Sequence, residues 1–133
     1  MKQGVKEPVP EEVDRVATEI VDAAYCLHSA VGPGLLESIY ETFMVHELSD
    51  RGLKVARQVA VPVTYKGLCV KAGLRLDLLV EDCVVVELKS VEGILLVHKA
   101  QLLSYLKLSG HRLGLLINFN VPIIKAGIHR IAN

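Results

Sequence analysis

The sequence predicts a mixed α/β domain, with helices on the faces of a single sheet. Three observations carry the prediction. Apolar residues recur at intervals of three and four through residues 10–50, which is the helical period. Between Val55 and Lys89 they alternate or run together between Gly and charged turn residues, which is the strand pattern. A further helical stretch, about 92–109, then leads to another apolar run at 112–118.

Taken in order, residues 1–9 read as a loose, polar arm, and 10–133 as one domain. Pro10 suits a helix start, and Glu11, Glu12 and Asp14 follow near the positive end of the helix dipole. Val13, Val16, Ile20, Leu27 and Val31 form one apolar face over 10–30, and Gly32-Pro33-Gly34 ends it. The second helix runs from about Leu35 to Asp50, with Leu36, Ile39, Tyr40, Phe43, Val45 and Leu48 as apolar contacts. Glu37 and Glu41 lie one turn apart on one side. Glu37 is in the first turn, where an acid suits the dipole, and spacing alone favours that role for it.

Arg51-Gly52 closes this helix, and Val55–Tyr65 is a strand in which Pro62 demands an edge position or a bulge. After the Lys66-Gly67 turn, a strand begins at Leu68 and continues past Gly73 into Arg75–Val80. Glu81-Asp82 breaks the run, and Cys83–Lys89 follows as the next strand. The helix from about Glu92 to Ser109 has Leu95, Leu96, Leu102, Leu103 and Leu106 on its apolar side. His98, Gln101 and Tyr105 fall on one polar stripe, which faces either the sheet or water. Gly110 ends that helix. Arg112–Asn118 is a buried strand, Asn118-Phe119-Asn120 a turn, and Ile123–Ile131 a last edge strand.

Hydrophobic residues make up 51% of the 133 and charged residues 23%, the balance of a soluble globular chain. No run approaches the roughly 20 apolar residues of a membrane span, and no apolar signal core opens the sequence, so a cytoplasmic location is expected. Cys26, Cys69 and Cys83 lack metal or redox spacing and read as buried free thiols. The formal net charge of +0 conceals an asymmetry. Residues 1–50 hold three Lys/Arg against ten Asp/Glu, and residues 51–133 hold twelve against five. Either the two halves attract each other, or the basic half receives a polyanion.

Two of those five acids, Asp77 and Glu87, stand in the most apolar part of the chain, with Lys89 two residues on. Ionisable groups in such strands are costly without a partner or a task. Glu87 and Lys89 share a face by alternation. Asp77 joins them only if Val80 pairs with Val84 around a three-residue loop, because a two-residue Glu81-Asp82 turn would put Glu87 on the other face. The odd loop is therefore expected. Two adjacent carboxylates offer a hard divalent cation oxygen ligands, and a lysine beside them can position water and offset phosphate charge. An exposed Glu87–Lys89 ion pair is the simpler alternative.

Several stretches taken together resemble one family. Gly34-Leu35-Leu36-Glu37-Ser38-Ile39-Tyr40 matches the Gly-x-x-Glu-x-x-Tyr signature of the bacterial GxxExxY proteins. Arg75–Val80, Glu87-Leu88-Lys89, Ala100–Leu106, Gly114–Phe119 and Ile124–Arg130 are similar to that family's other stretches, in order, so the resemblance covers about 13–133. Through it the chain resembles the PD-(D/E)xK nuclease-like superfamily. That implies a restriction-endonuclease-like core of helix, three strands, helix and strand, here with an extra N-terminal helix and a mixed central sheet flanked by helices. It also implies a Mg²⁺-dependent (or Mn²⁺-dependent) nuclease acting on DNA or RNA. Carried over by position, Asp77 and Glu87 would bind the metal with the Leu88 carbonyl, Lys89 would position water, Glu37 would be an additional acid at the site, and Gln101 and Tyr105 would support it. The position before Asp77 is Leu76 where the motif has Pro. A silent nuclease-like module that binds nucleic acid or a protein is the alternative. The apolar strand around Val59–Val63 raises a homodimer as a further expectation.

Overall fold

The computed structural model describes residues 7–133. The elements are α1 (Glu11–Val31), α2 (Glu37–Asp50), β1 (Val55–Tyr65), β2 (Leu68–Val80), β3 (Val84–Lys89), α3 (Leu96–Ser109), β4 (Leu113–Asn118), a 3₁₀ turn (Ile124–Gly127) and β5 (Ile128–Ala132). The strands form one sheet in the order β1-β2-β3-β4-β5. β3 and β4 pair in parallel and the other neighbours are antiparallel, so the sheet is mixed. The parallel pair needs a crossover, and α3 supplies it.

Alternation along the central strands feeds two cores. Val84, Val86 and Leu88 of β3, and Leu113, Leu115 and Ile117 of β4, pack with Ile20, Ala24, Tyr40, Met44 and Leu48 of α1 and α2. Val85 and Leu116 point the other way, onto Leu102 and Leu106 of α3. β3 is buried on both faces, which is why its sequence is a continuous apolar run. Gly114 lets α3 approach closely, since a Cβ there would stand 3.0 Å from Leu102.

The Val80–Val84 hairpin has the odd register. Val80 pairs with Val84 and Leu78 with Val86. Glu81 and Asp82 both take left-handed φ, Cys83 N–H closes onto the Val80 carbonyl, and Cys83 is the extra residue that shifts the pairing. β1 is an edge strand and also has a register shift at Pro62, between Val61 and Val63.

Several expectations need correction. The third helix begins at Leu96, four residues later than its apolar pattern, because the residues after Ser90 form a loop that Asn118 holds. The buried Asn118 carboxamide accepts from Val91 N–H and donates to Val91 O, so Asn118 ends β4 as an anchor. The 3₁₀ turn takes the first half of the Ile123–Ile131 stretch, so the last strand is only Ile128–Ala132. Cys26 and Cys69 are exposed and Cys83 half-buried, since α1 turns Cys26 outward beside Arg51 and Cys69 lies on a hairpin that outruns the core.

The arm assigned to 1–9 lies outside the described residues for 1–6. Of the rest, Glu7 and Pro8 carbonyls accept from Arg112, and Val9 packs on the larger core. The charge asymmetry is in part internal pairing: Arg51 bonds Glu19, Asp22 and Glu47, and Arg57 bonds Glu41. No described helix is long and apolar enough to cross a membrane.

Candidate active site

The ladder that holds β2 to its neighbours lets go at Asp77 on both sides. β1 and β2 pair from Val55–Val80 inward to Arg57–Leu78 and again from Val59–Leu76, skipping Gln58 and Asp77, and Gln58 has a φ of 49°. Pairing with β3 stops at Leu78–Val86. Both strands also roll over here. Leu78 and Val80 belong to the core under α1 and α2, whereas Leu74 and Leu76, of the same parity, belong to the core under α3. β1 rolls with β2, since Val55 packs with the first core and Val59 with the second.

Side-chain carboxylates take the places the backbone has vacated. Asp77 N–H donates to Glu87 Oε1 at 3.2 Å, and Leu88 N–H donates to Asp77 Oδ2 at 2.9 Å. Each acid thus binds the other's strand, and buried amides that have lost their ladder partners stay satisfied. The arrangement sets two carboxyls against each other. Burial, and next the Asp77 charge, push the Glu87 carboxyl up to about 8, against a smaller downward pull from Lys89. Neither acid has an ion-pair partner among the described residues. Burial, followed by the charges of Glu87 and Asp77, raises the Tyr105 hydroxyl, so it stays protonated and able to donate at neutral pH.

Glu37 comes to the site through its motif. The Tyr40 hydroxyl donates to Gly32 O at 2.7 Å and accepts from Leu35 N–H at 3.2 Å, which ties down the loop before α2. The Tyr40 ring stacks on Phe119 at 4.4 Å, and Phe119 N–H bonds the Lys89 carbonyl. Ser90 completes the join, with Oγ donating to Leu35 O at 2.6 Å and N–H to Glu37 Oε2 at 3.4 Å. Glu37 is therefore fixed where α2 meets the end of β3. It also occupies the first helical turn, so its dipole role and its site position coexist.

The sequence-predicted residues divide between two hollows. Glu37, Asp77 and Leu88 line one of about 200 Å³, with Ser38, Glu41 and Gln58. Lys89 and Gln101 line another on the α3 side, with His98 and Ser104. The polar stripe of α3 thus faces the sheet at Lys89. Glu87 links the two sides by its bond to Asp77 N–H and its electrostatic contact with Lys89. The expectation that all three charged groups open onto one face does not account for the roll of β2 at Asp77. Arg112 of the basic half is occupied by the carbonyls of Asn133, Glu7 and Pro8.

Sequence reasoning missed Gln58 and underused Glu41. Gln58 Nε2 donates to Glu41 Oε1 at 2.7 Å, and Arg57 bonds the other Glu41 oxygen at 2.9 Å. The one-turn spacing of Glu37 and Glu41 was a usable signal. Nothing marks Gln58 for a left-handed conformation, which Gly, Asn or Asp adopt more readily.

The donor chemistry suits a hard divalent ion. Mg²⁺ is commonly held by one or two carboxylates with water completing its shell, and Asp77 with Glu87 supplies two carboxylates in mutual contact beside a hollow of about 200 Å³. No group of three or more His, Cys, Asp and Glu converges in a metal-holding cluster among the described residues.

Comparison with known proteins gives the same frame. No match is found among curated proteins. The solved structure titled "Crystal structure of SSO0001" is similar in fold, with a TM-score of 0.55 at 20% identity over 98% of this chain and 71% of that one. Residues 14–131, which hold every candidate residue and the five-stranded sheet, match a family described as the PD-(D/E)XK nuclease superfamily. With the helix–sheet order, the Asp77/Glu87 pair and Lys89 in place, the chain belongs to the PD-(D/E)XK nuclease superfamily.

Proposed function

We propose that the chain is a Mg²⁺-dependent nuclease that hydrolyses phosphodiester bonds of DNA or RNA, and that its seven-residue segment Gly34–Tyr40 marks it as a GxxExxY protein. The observation that carries the proposal is the reciprocal bonding of Asp77 and Glu87 across the opened strands. Two acids in contact, with no ion-pair partner among the described residues, cost stability, and a divalent ion would relieve that cost.

Asp77, Glu87 and the Leu88 carbonyl are the groups that would hold the ion, with Glu37 at the rim of the same hollow. When bound, the ion acidifies water and offsets phosphate charge. Lys89 brings a positive charge beside Glu87, where it orients the attacking water and balances charge developing on the phosphate. Tyr105, whose hydroxyl feels the charges of Glu87 and Asp77, would donate a hydrogen bond toward the acids, and Gln101, in the hollow with Lys89, would orient groups around it. Ser90, Asn118 and Tyr40 act as positioning residues that hold the loops bearing Glu37 and Lys89.

Isothermal titration of Mg²⁺ and Mn²⁺ into the wild type and Asp77→Ala, with plasmid and single-strand cleavage on the same samples, tests this reading. Metal binding and cleavage that are both lost in Asp77→Ala support it. A wild type that binds neither ion, with nucleic acid present or absent, overturns it. The division of Asp77 and Lys89 between two hollows favours one alternative, a silent nuclease-like module that binds nucleic acid or a partner protein. On that alternative Asp77→Ala leaves binding and function unchanged. The edge position of β1 supports a homodimer, which sedimentation would test.

A further inference from the structure

β2 outruns its pairing with β3. It pairs with β3 over Leu78–Val80 but with β1 as far as Leu68, so Leu68–Asp77 and its β1 partner continue as a two-stranded ribbon. The ribbon's base is anchored by Leu74 and Leu76 against α3. Beyond Gly73 it overhangs the core, and Tyr65, Leu68 and Val70 are 71%, 72% and 54% exposed. Tyr65 pairs with Leu68 and Val63 with Val70, so by alternation these side chains share one face. Lys66 and Gly67 close the tip with φ of 47° and 82°, the mirror-image turn that suits a stiff hairpin.

Its charge is one-sided. From Arg51 to Leu76 the sequence contains six Lys/Arg and no Asp or Glu. Arg51, Lys54 and Arg57 are paired with acids elsewhere. Lys66, Lys71 and Arg75 are exposed and make no ion pair among the described residues. All three lie on the ribbon that leads directly to Asp77.

We propose that this ribbon is a duplex-binding arm that lays its Lys71–Arg75 face, which alternates away from Leu68 and Val70, along the phosphates, with Lys66 at its tip; it rests on the nuclease reading of the site. Between Lys66 and Arg75 an extended chain covers roughly 30 Å, close to one helical turn of DNA. A two-stranded ribbon also fits the major groove in width. A single-stranded ligand would need several stacking aromatics, and the arm has only Tyr65. A second copy of the chain is the competing occupant. A two-fold contact would set the cationic arms against each other, which charge disfavours.

Fluorescence anisotropy of the full chain with a labelled 30-base-pair duplex and the matching single strand, in EDTA over a salt series, tests the arm without engaging the metal site. In Lys66→Ala/Lys71→Ala the duplex affinity is expected to fall roughly 10- to 50-fold at 0.1 M salt, with the salt slope reduced by about 2. Lys66→Arg/Lys71→Arg retains both, and an unchanged melting curve shows that the variants fold. Unchanged duplex affinity and slope in the alanine pair overturn the proposal, as does equal wild-type affinity for duplex and single strand. So does a wild-type dimer that Tyr65→Ser/Leu68→Ser converts to monomer. The nuclease reading stands or falls separately, on metal titration of wild type and Asp77→Ala.

Discussion

The two faces of the sheet are built to different ends. Under α1 and α2 lies an apolar core in which Tyr40, Met44, Leu48, Leu78, Val86 and Phe119 are fully buried. On the opposite side one helix covers the sheet, and Glu87, Lys89 and Tyr105 share that space with Leu102 and Leu106. Even the polar groups differ. On the first face the Tyr40 hydroxyl has two partners in a loop that needs fixing. Near the second, Glu87 is 9% exposed and in contact with another acid. Stability is concentrated on one side, and the other spends some of it on a strained charge pair.

Variants that touch one face alone sharpen the contrast. Asp77→Ala should reduce cleavage by roughly 10³-fold or more, as expected for a group that acts within a unit, while the melting temperature holds or rises. Leu48→Ala, at the heart of the first core, should cost roughly 2–5 kcal/mol in denaturant unfolding and leave metal affinity of the folded protein unchanged. The comparison breaks if Leu48→Ala weakens metal binding as much as Asp77→Ala does.

Glu87→Gln gives a pH signature. The folded carboxyl holds its proton up to about 8, above the ordinary 4.5, so the native state binds that proton more tightly than the unfolded chain. This group's effect on stability is therefore least costly below about 4.5 and declines as pH rises through the window to about 8. In chelator, Glu87→Gln should match wild type in unfolding free energy near pH 4.5 and exceed it at pH 9, by roughly 1–3 kcal/mol. Equal pH slopes would refute the strained pair. Tyr40→Phe is the mildest test. It removes both hydrogen bonds of the hydroxyl while keeping the ring stack on Phe119, and should cost about 1–2 kcal/mol in chemical unfolding. It should also lower cleavage through the displaced Glu37, with Mg²⁺ affinity less affected than in Asp77→Ala.

Most of the fold was legible because period and punctuation agreed. The bounds of β1 and β2, the edge position of Pro62 and the odd loop at Glu81–Cys83 follow from apolar parity and from turn residues. The start of α3 was not, because the apolar pattern continues upstream through Leu95 into a loop that a distant Asn118 holds. Asp77, Glu87 and Lys89 could be named from their cost in an apolar run. Their division between two hollows could not, since it depends on a roll at Gln58 and Asp77 that leaves no mark in alternation. Glu41 was visible as a spacing but lacked a partner until β1 was placed beside α2.

The closing of the β2–β3 turn bears on the order in which the molecule assembles. Asp77 and Glu87 are ten residues apart and meet through a short hairpin, so their encounter has a small loop-closure cost. Glu37 bonds Ser90 across 53 residues, and Lys89 pairs with Asn118 only once the parallel crossover is complete. Contacts of that separation form slowly. A chain leaving the ribosome therefore gains its acid pair early and its lysine scaffold late. On the proposed nuclease reading, a partly folded intermediate would hold an ion without cutting, so hydrolysis would report completed folding where metal uptake would not.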